Sequence, residues 1–216
     1  MGSVKSLRPK APRKDENKVF KQDMHVLRFK CKLVSTEPDD ETREFLLSFF
    51  CGDDTIQVYE ICDKNSGRLG GKFLERKAHK NPVTAKNYEE KDFLIGNTIH
   101  LTGWRFQIQE MDEYTEKYME DNFEVFPQSR AELVLDKIKN GARSFPSLQD
   151  YAIHLIKTLD KNGDNLISFN EFADGMKGMK IFLTDHEMHT LVRKFDHNGD
   201  GMVSMEEFYN TLAGSA

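Results

Sequence analysis

The sequence predicts an α+β protein in two parts, an antiparallel strand-rich unit followed by an all-helical one. Three observations carry this. From about residue 25 to residue 109 apolar and polar residues tend to alternate, the period of half-buried strands. Beyond about residue 131 the apolar spacing changes to three and four, the period of amphipathic helices. Two oxygen-rich segments of twelve residues, starting thirty-six residues apart, interrupt the helical part.

Length and composition bound the answer. A chain of 216 residues with 38% hydrophobic content suits two modest cores better than one large one. No run of eighteen apolar residues exists and no hydrophobic segment follows the first basic residues, so neither a membrane span nor a secretory signal is expected. Cys31, Cys51 and Cys62 lack metal-ligand spacing and fall in strand-like stretches, which predicts buried, reduced thiols in a cytosolic-type compartment.

The net charge of −5 conceals an asymmetry. Residues 1–22 carry seven Lys or Arg against Asp15 and Glu16, with Pro9 and Pro12 and few apolar residues, and are expected to form a basic, extended arm. Such an arm is either a solvated tail or a contact for an acidic surface. Met1, Gly2 and Ser6 also satisfy N-myristoylation spacing, a short pattern often matched by accident, and Met-Gly-Ser is equally a common cloning remnant.

Seven strands are expected in the first unit. Leu27, Phe29, Cys31 and Leu33 alternate with Arg28, Lys30 and Lys32 in the first. Residues 43–51 and 54–62 form a hairpin around Gly52 and Asp53. Shorter candidates lie at 72–76, 91–94, 97–101 and 104–109, punctuated by Gly96 and Gly103. A helix over 111–121 follows, with Tyr114 and Tyr118 expected to pack on the sheet. A seven-stranded antiparallel β-barrel or sandwich capped by a C-terminal helix is the pleckstrin-homology-like architecture, although other small barrels share that strand count.

The order HVLRFKCKL, REFLLSFFCGDDTIQVYEI, KNSGRLGGKFLERK and YEEKDFLIGNTIHLTGWRFQIQEMDEYTEKYME resembles the DM-ten domain of ciliary proteins. The resemblance covers about residues 20–122. It is carried best by DDTIQVYE, by Lys91-Asp92-Phe93 with Gly96, and by the aromatic strand leading to Asp112 and Tyr114. It resembles the protofilament-ribbon and myoclonin-like proteins, which join such domains to C-terminal calcium-binding helices. The resemblance implies a pleckstrin-homology-like fold, a structural rather than catalytic role, and a place inside the axonemal doublet microtubule. This chain has one such domain where the large members have three.

Catalytic patterns are weak by comparison. Gly67, Gly70, Gly71 and Lys72 fail the phosphate-loop pattern, because Ser66 stands where its first glycine belongs and Phe73 where its Ser or Thr belongs. His186 and His189 lack further Cys or His ligands nearby and are expected to face solvent. Arg76, Lys77 and Lys80 offer a phosphoinositide contact or, as more often, a solvated loop. No nucleophile, base and orienting residue occur together in a recognisable pattern, so a non-enzyme is expected.

Residues 123–130 read as a linker, with Pro127 ending one pattern and Ser129 capping a helix over 131–139. The expected organisation is an arm at 1–22, the strand-rich domain at 23–122, the linker, and a helical lobe at 131–216. Ser147 caps the next helix, whose apolar face is Tyr151, Leu155, Ile156 and Leu159. Phe172, then Met188, Leu191, Val192 and Phe195, then Phe208 and Leu212 mark three further apolar stripes.

The two oxygen-rich segments, DKNGDNLISFNE and DHNGDGMVSMEE, join these helices. A hard cation needs six or seven oxygens at one point, and a twelve-residue EF-hand loop supplies them from positions one, three, five, seven, nine and twelve. In loop one these are Asp160, Asn162, Asp164, the Leu166 carbonyl, Ser168 through a water, and both oxygens of Glu171. In loop two they are Asp196, Asn198, Asp200, the Met202 carbonyl, Ser204 and Glu207. Position six requires a left-handed backbone; Gly201 supplies it in loop two, while Asn165 in loop one predicts weaker binding. Ile167 and Val203, at position eight of each, should pair as a short bridge. Calcium is the expected ion, with magnesium the alternative.

Met176, Met179, Met188, Met202 and Met205 either fill gaps in a small core or line a target groove. Two functional readings follow: a calcium-binding structural protein of the cilium or flagellum that contacts tubulin and neighbouring axonemal proteins, or a soluble or myristoyl-tethered calcium sensor that grips a target helix. No nucleic-acid partner is expected.

Overall fold

The computed structural model describes residues 25–62 and 70–213. The expected arm at 1–22, its acylation pattern and Gly67 lie outside them. Six strands form one antiparallel sheet: β1 Val26–Leu33, β2 Glu44–Phe50, β3 Thr55–Ile61, β4 Gly71–Ala78, β5 Thr98–Leu101 and β6 Trp104–Met111, in the order β4-β3-β2-β1-β6-β5. A short helix α1, Pro38–Glu41, links β1 to β2.

Alternation sets which face is buried. Leu27, Phe29 and Cys31 on β1, Phe45, Leu47 and Phe49 on β2, Ile56 and Val58 on β3, and Phe106 and Ile108 on β6 all point into one core. Phe29 pairs with Leu47 and Leu47 with Val58, so the register carries apolar rows across the sheet. Register shifts at Lys30/Cys31 and on either side of Val58 bend it. The bend brings β4 towards β6 without a backbone ladder. Phe73 on β4 lies 5.4 Å from Trp104 and 6.0 Å from Phe106, ring centre to ring centre, and 5.0 Å from Phe45. Arg43 lies over Phe45 and Phe73, its guanidinium held by Glu60 at 2.7 Å and Asp40 at 2.8 Å. Aromatic contacts thus close this half-barrel.

The sheet has six strands among the described residues, not seven, because the segment expected to be a strand at 91–94 turns instead. Glu90–Asp92 is a 3₁₀ turn in which Glu89 and Asp92 cap each other. That turn drops Phe93 into the core between Phe49, Phe29 and Tyr88, at 4.5, 5.6 and 5.9 Å. A charged run followed by Phe93, Leu94 and Ile95 imitates the entry to a strand.

Helix α2, Glu113–Asp121, is capped by Asp112 and pinned to β1 where the Arg28 N–H donates to Thr115 Oγ1 at 2.8 Å. Its packed face is Thr115, Met119 and Tyr118. Tyr114, expected on that face, is 45% exposed and bonds His25 at the rim.

The expected linker packs as well. Phe126 is buried in the first core, and residues Pro127–Ser129 form a 3₁₀ turn that buries Ser129. Arg130, not Ser129, occupies the N-cap of α3, Ala131–Lys139. The second core is built by α3, α4 Leu148–Leu159, α5 Phe169–Gly178, α6 Asp185–Phe195 and α7 Met205–Ala213. Tyr151 donates to the Ile138 carbonyl at 3.0 Å, tying α3 to α4. Phe172, Phe195 and Phe208 stack together, with Phe195 and Phe208 4.7 Å apart. Met176 and Met188 are buried, and Met179 and Met205 pack partly against this core.

Cys31 and Cys51 are buried and Cys62 is partly so; none forms a disulfide. Burial pushes the Cys31 thiol well above its ordinary range.

Phe93→Ala removes a fully buried ring from the half-barrel core. It should cost about 3–5 kcal/mol in denaturant unfolding followed through the single tryptophan, Trp104. A loss below about 1 kcal/mol would show that Phe93 does not plug that core.

Candidate metal centre

Each oxygen-rich segment is wound by its own side chains. In loop one, Asp160 closes α4 through its N–H to Ile156 and accepts from Gly163 N–H at 2.7 Å and Asn165 N–H at 3.2 Å. Asn162 Oδ1 accepts from Asp164 N–H at 2.9 Å, and Asp164 Oδ1 from Leu166 N–H at 2.8 Å. Loop two repeats this. Asp196 accepts from Gly199 at 2.7 Å and Gly201 at 2.8 Å, Asn198 from Asp200 at 2.8 Å, and Asp200 from Met202 at 2.8 Å. Short carboxylate and amide side chains bonded to the backbone ahead of them are what force so tight a turn.

The last ligand candidate folds back over the loop. Glu171 accepts from the Ser168 N–H at 3.0 Å and hydroxyl at 2.8 Å; Glu207 accepts from Ser204 in the same way, at 2.9 and 2.7 Å. The other oxygen of Glu207 takes the His197 N–H at 3.1 Å, so this carboxylate spans from the ninth to the second residue of its loop. The Ser backbone N–H first, then its hydroxyl, hold both carboxyls below the usual range.

Position six behaves as its residues require. Gly201 has φ +81° and Asn165 φ +64°, both left-handed. Leu166 pairs with Ser204 and Ile167 with Val203, so the bridge joins the loops at position eight and buries both of those side chains.

The donor set is hard throughout: carboxylates, an amide, a hydroxyl and a carbonyl. Among the described residues no three His, Cys, Asp or Glu side chains are gathered closely enough to hold a metal by themselves. Each loop draws three of its six ligand positions from Asn, Ser and backbone, which suits the oxygen-rich, many-coordinate demand of calcium. All twelve predicted positions lie in these two loops, six in each.

Comparison with known families agrees with this geometry. A DM10-domain model matches residues 16–115, an EF-hand-pair model residues 173–214, and an EF-hand model residues 153–177. The chain joins a DM10 domain to EF-hands. It is similar to EF-hand domain-containing family member C2 of Danio rerio, 30% identical over 88% of this chain and 27% of the relative. The Mus musculus protein of that name is 32% identical over the same shares. EF-hand domain-containing protein 1 of Homo sapiens is 44% identical over 54% of this chain and 19% of its own length. The chain thus spans about a quarter of the length of the C2 relatives it matches.

The other sequence candidates resolve differently. Arg76 donates to Thr55 at 2.7 Å and Asp53 at 2.9 Å and lies 3.6 Å above the Phe50 ring, so it braces the DM10 sheet. Gly71 and Lys72 open β4, and Lys72 faces Glu75.

His186, expected in solvent, is 0% exposed. The Ile95 N–H of the DM10 domain lies 3.3 Å from its Nδ1, and Ser129 Oγ lies 2.7 Å from Nε2. An N–H can only donate, so Nδ1 accepts, and the ring proton sits on Nε2 and donates to Ser129. Burial first, then nearby His189, pull the His186 pKa down to about 4 against the opposing charge of Glu187. One signal in the sequence marked this residue. His186, His189, Thr190 and Arg193 form a polar stripe at helical spacing, opposite the apolar stripe of the same helix.

Two outcomes follow. Asn165→Gly should tighten calcium binding at loop one a few-fold, since glycine adopts φ +64° without the Cβ penalty; calorimetry in a Glu207→Gln background isolates that loop. Below pH 6.5 the unfolded chain protonates His186 while the folded chain does not until about pH 4. The neutral histidine's stability is therefore whole above pH 6.5 and falls by about 3 kcal/mol towards pH 4. Denaturant unfolding of wild type and His186→Gln should show the two pH profiles converging as pH drops; parallel profiles would refute the buried neutral ring.

Proposed function

We propose that this chain is a non-enzymatic, calcium-binding structural protein of the ciliary or flagellar axoneme, seated against tubulin and neighbouring proteins in the lumen of the doublet microtubule. The observation that carries this reading is the join itself: one DM10 half-barrel and one paired EF-hand lobe, packed together along α6 and the 127–129 turn. The axonemal assignment rests on the resemblance of residues 20–122 to the microtubule-lining proteins. Calcium is favoured over magnesium because each loop offers a many-membered oxygen set with a glutamate at its twelfth position, the coordination the larger ion takes.

A second reading has one observation in its favour. Phe169, Ala173, Met176, Ile181, Leu183 and Met188 line an apolar groove on the lobe, a surface on which a calcium sensor would grip a helix.

Calorimetric titration with calcium should give two sites with dissociation constants on the order of 10⁻⁷–10⁻⁵ M, one of them lost in Glu207→Gln. Salt-resistant sedimentation with isolated doublets supports the structural role. Calcium-dependent recovery with membranes, lost in Gly2→Ala, would replace it with the tethered sensor.

A further inference from the structure

We propose that the DM10 domain positions the second calcium loop: His186, Ser129 and Gly96 dock the entering helix α6, and this docking raises the affinity of loop two for calcium. The inference rests on the calcium reading above and extends it to the domain that holds no ligand.

Helix α6 has eleven residues, fewer than the ~12–15 an isolated helix needs to persist in water. It is supported on two sides. Met188, Leu191 and Phe195 enter the lobe core. On the opposite side His186 meets Ile95 and Ser129, and Thr190 Oγ1 donates to the Gln128 carbonyl at 3.1 Å. Arg193 lies 2.9 Å from Glu116 and 3.1 Å from Glu120, both on α2 of the DM10 domain, and His189 lies 3.5 Å from Glu116. Gly96 makes the close approach feasible. Its φ is +87°, and a Cβ there would stand 2.4 Å from Asp185 Oδ2.

The same helix ends in the first ligand. Asp196 closes α6 through its N–H to the Val192 carbonyl at 2.8 Å, one turn beyond Arg193. Docking holds the start of α6, and loop two, with its metal, holds the end. An element held from both ends couples the two: whichever binds second meets a helix already ordered. Loop one differs, since its entering helix α4 is tied to α3 through Tyr151 and lies within the lobe. The coupling is therefore specific to loop two.

Hydrogen exchange at the Ile95 amide and calcium calorimetry on the full chain test this. In wild type, saturating calcium should slow Ile95 exchange about tenfold, an effect kept in Glu171→Gln and lost in Glu207→Gln. Reciprocally, Ser129→Ala should weaken loop two about tenfold, measured in the Glu171→Gln background. It should leave loop one within about twofold, measured in the Glu207→Gln background. Ile95 exchange indifferent to calcium with loop two loaded would overturn the proposal, and that measurement needs no junction variant to fold. Unchanged or tighter binding at loop two in a folded Ser129→Ala would overturn it too. No calcium heat in wild type would instead remove the calcium reading, and this inference with it.

Discussion

Helix α6 must bury two faces at once, and the arrangement of both domains answers to that. An amphipathic helix normally presents one apolar stripe to one core and leaves the rest to water. Here the second stripe is polar, and the burial of His186 and Thr190 in it is tolerable only if each finds a partner, because an unpaired buried donor or acceptor costs about 1–3 kcal/mol. His186, Thr190, His189 and Arg193 all find one, from Ile95, the 127–129 turn and α2. The partners are drawn from three separate stretches of chain, so the join becomes specific in a way that an apolar seam would not. The EF-hand lobe has a defined seat on the DM10 domain.

That seat requires a stiff DM10 domain beneath it, and the way the half-barrel closes supplies one. Its sheet stops at β4 on one edge and β5 on the other, with no ladder between them. Phe73, Phe45, Phe106 and Trp104 close the gap with side chains, and Phe93 fills the same core among Phe29, Phe49 and Tyr88. Phe93 and Ile95 belong to one short segment. The ring that fills the core and the N–H that receives His186 are two residues apart, so packing in the DM10 core fixes the donor on which docking depends.

What the sequence revealed follows the range of the constraint. The turns of the two twelve-residue loops were legible, left-handed Asn165 included, because their geometry is written within twelve consecutive positions. The sheet was legible as alternation, and the Ile167–Val203 bridge as a matched position in two repeats. The segment at 91–94 was not, since four residues are too few to separate a strand from a turn that buries one phenylalanine. Ser129 was read as a cap because caps are local, yet its partner His186 lies 57 residues away; Ile95 lies 91 residues from the same ring. Tyr114 and Tyr118 share a helix face by spacing, but only Tyr118 packs against the core, while Tyr114 bonds His25 at the rim.

The two loops share a ligand pattern and differ in everything around it. In both, the carboxylates already accept N–H bonds from their own backbone, so a metal enters a loop whose turns are formed. Loop one reaches this state with Asn165 in a left-handed conformation that a side chain disfavours, and its entering helix leans on α3 within the lobe. Loop two has Gly201 at that position and an entering helix seated on a second domain. Backbone strain and helix support both favour the same loop.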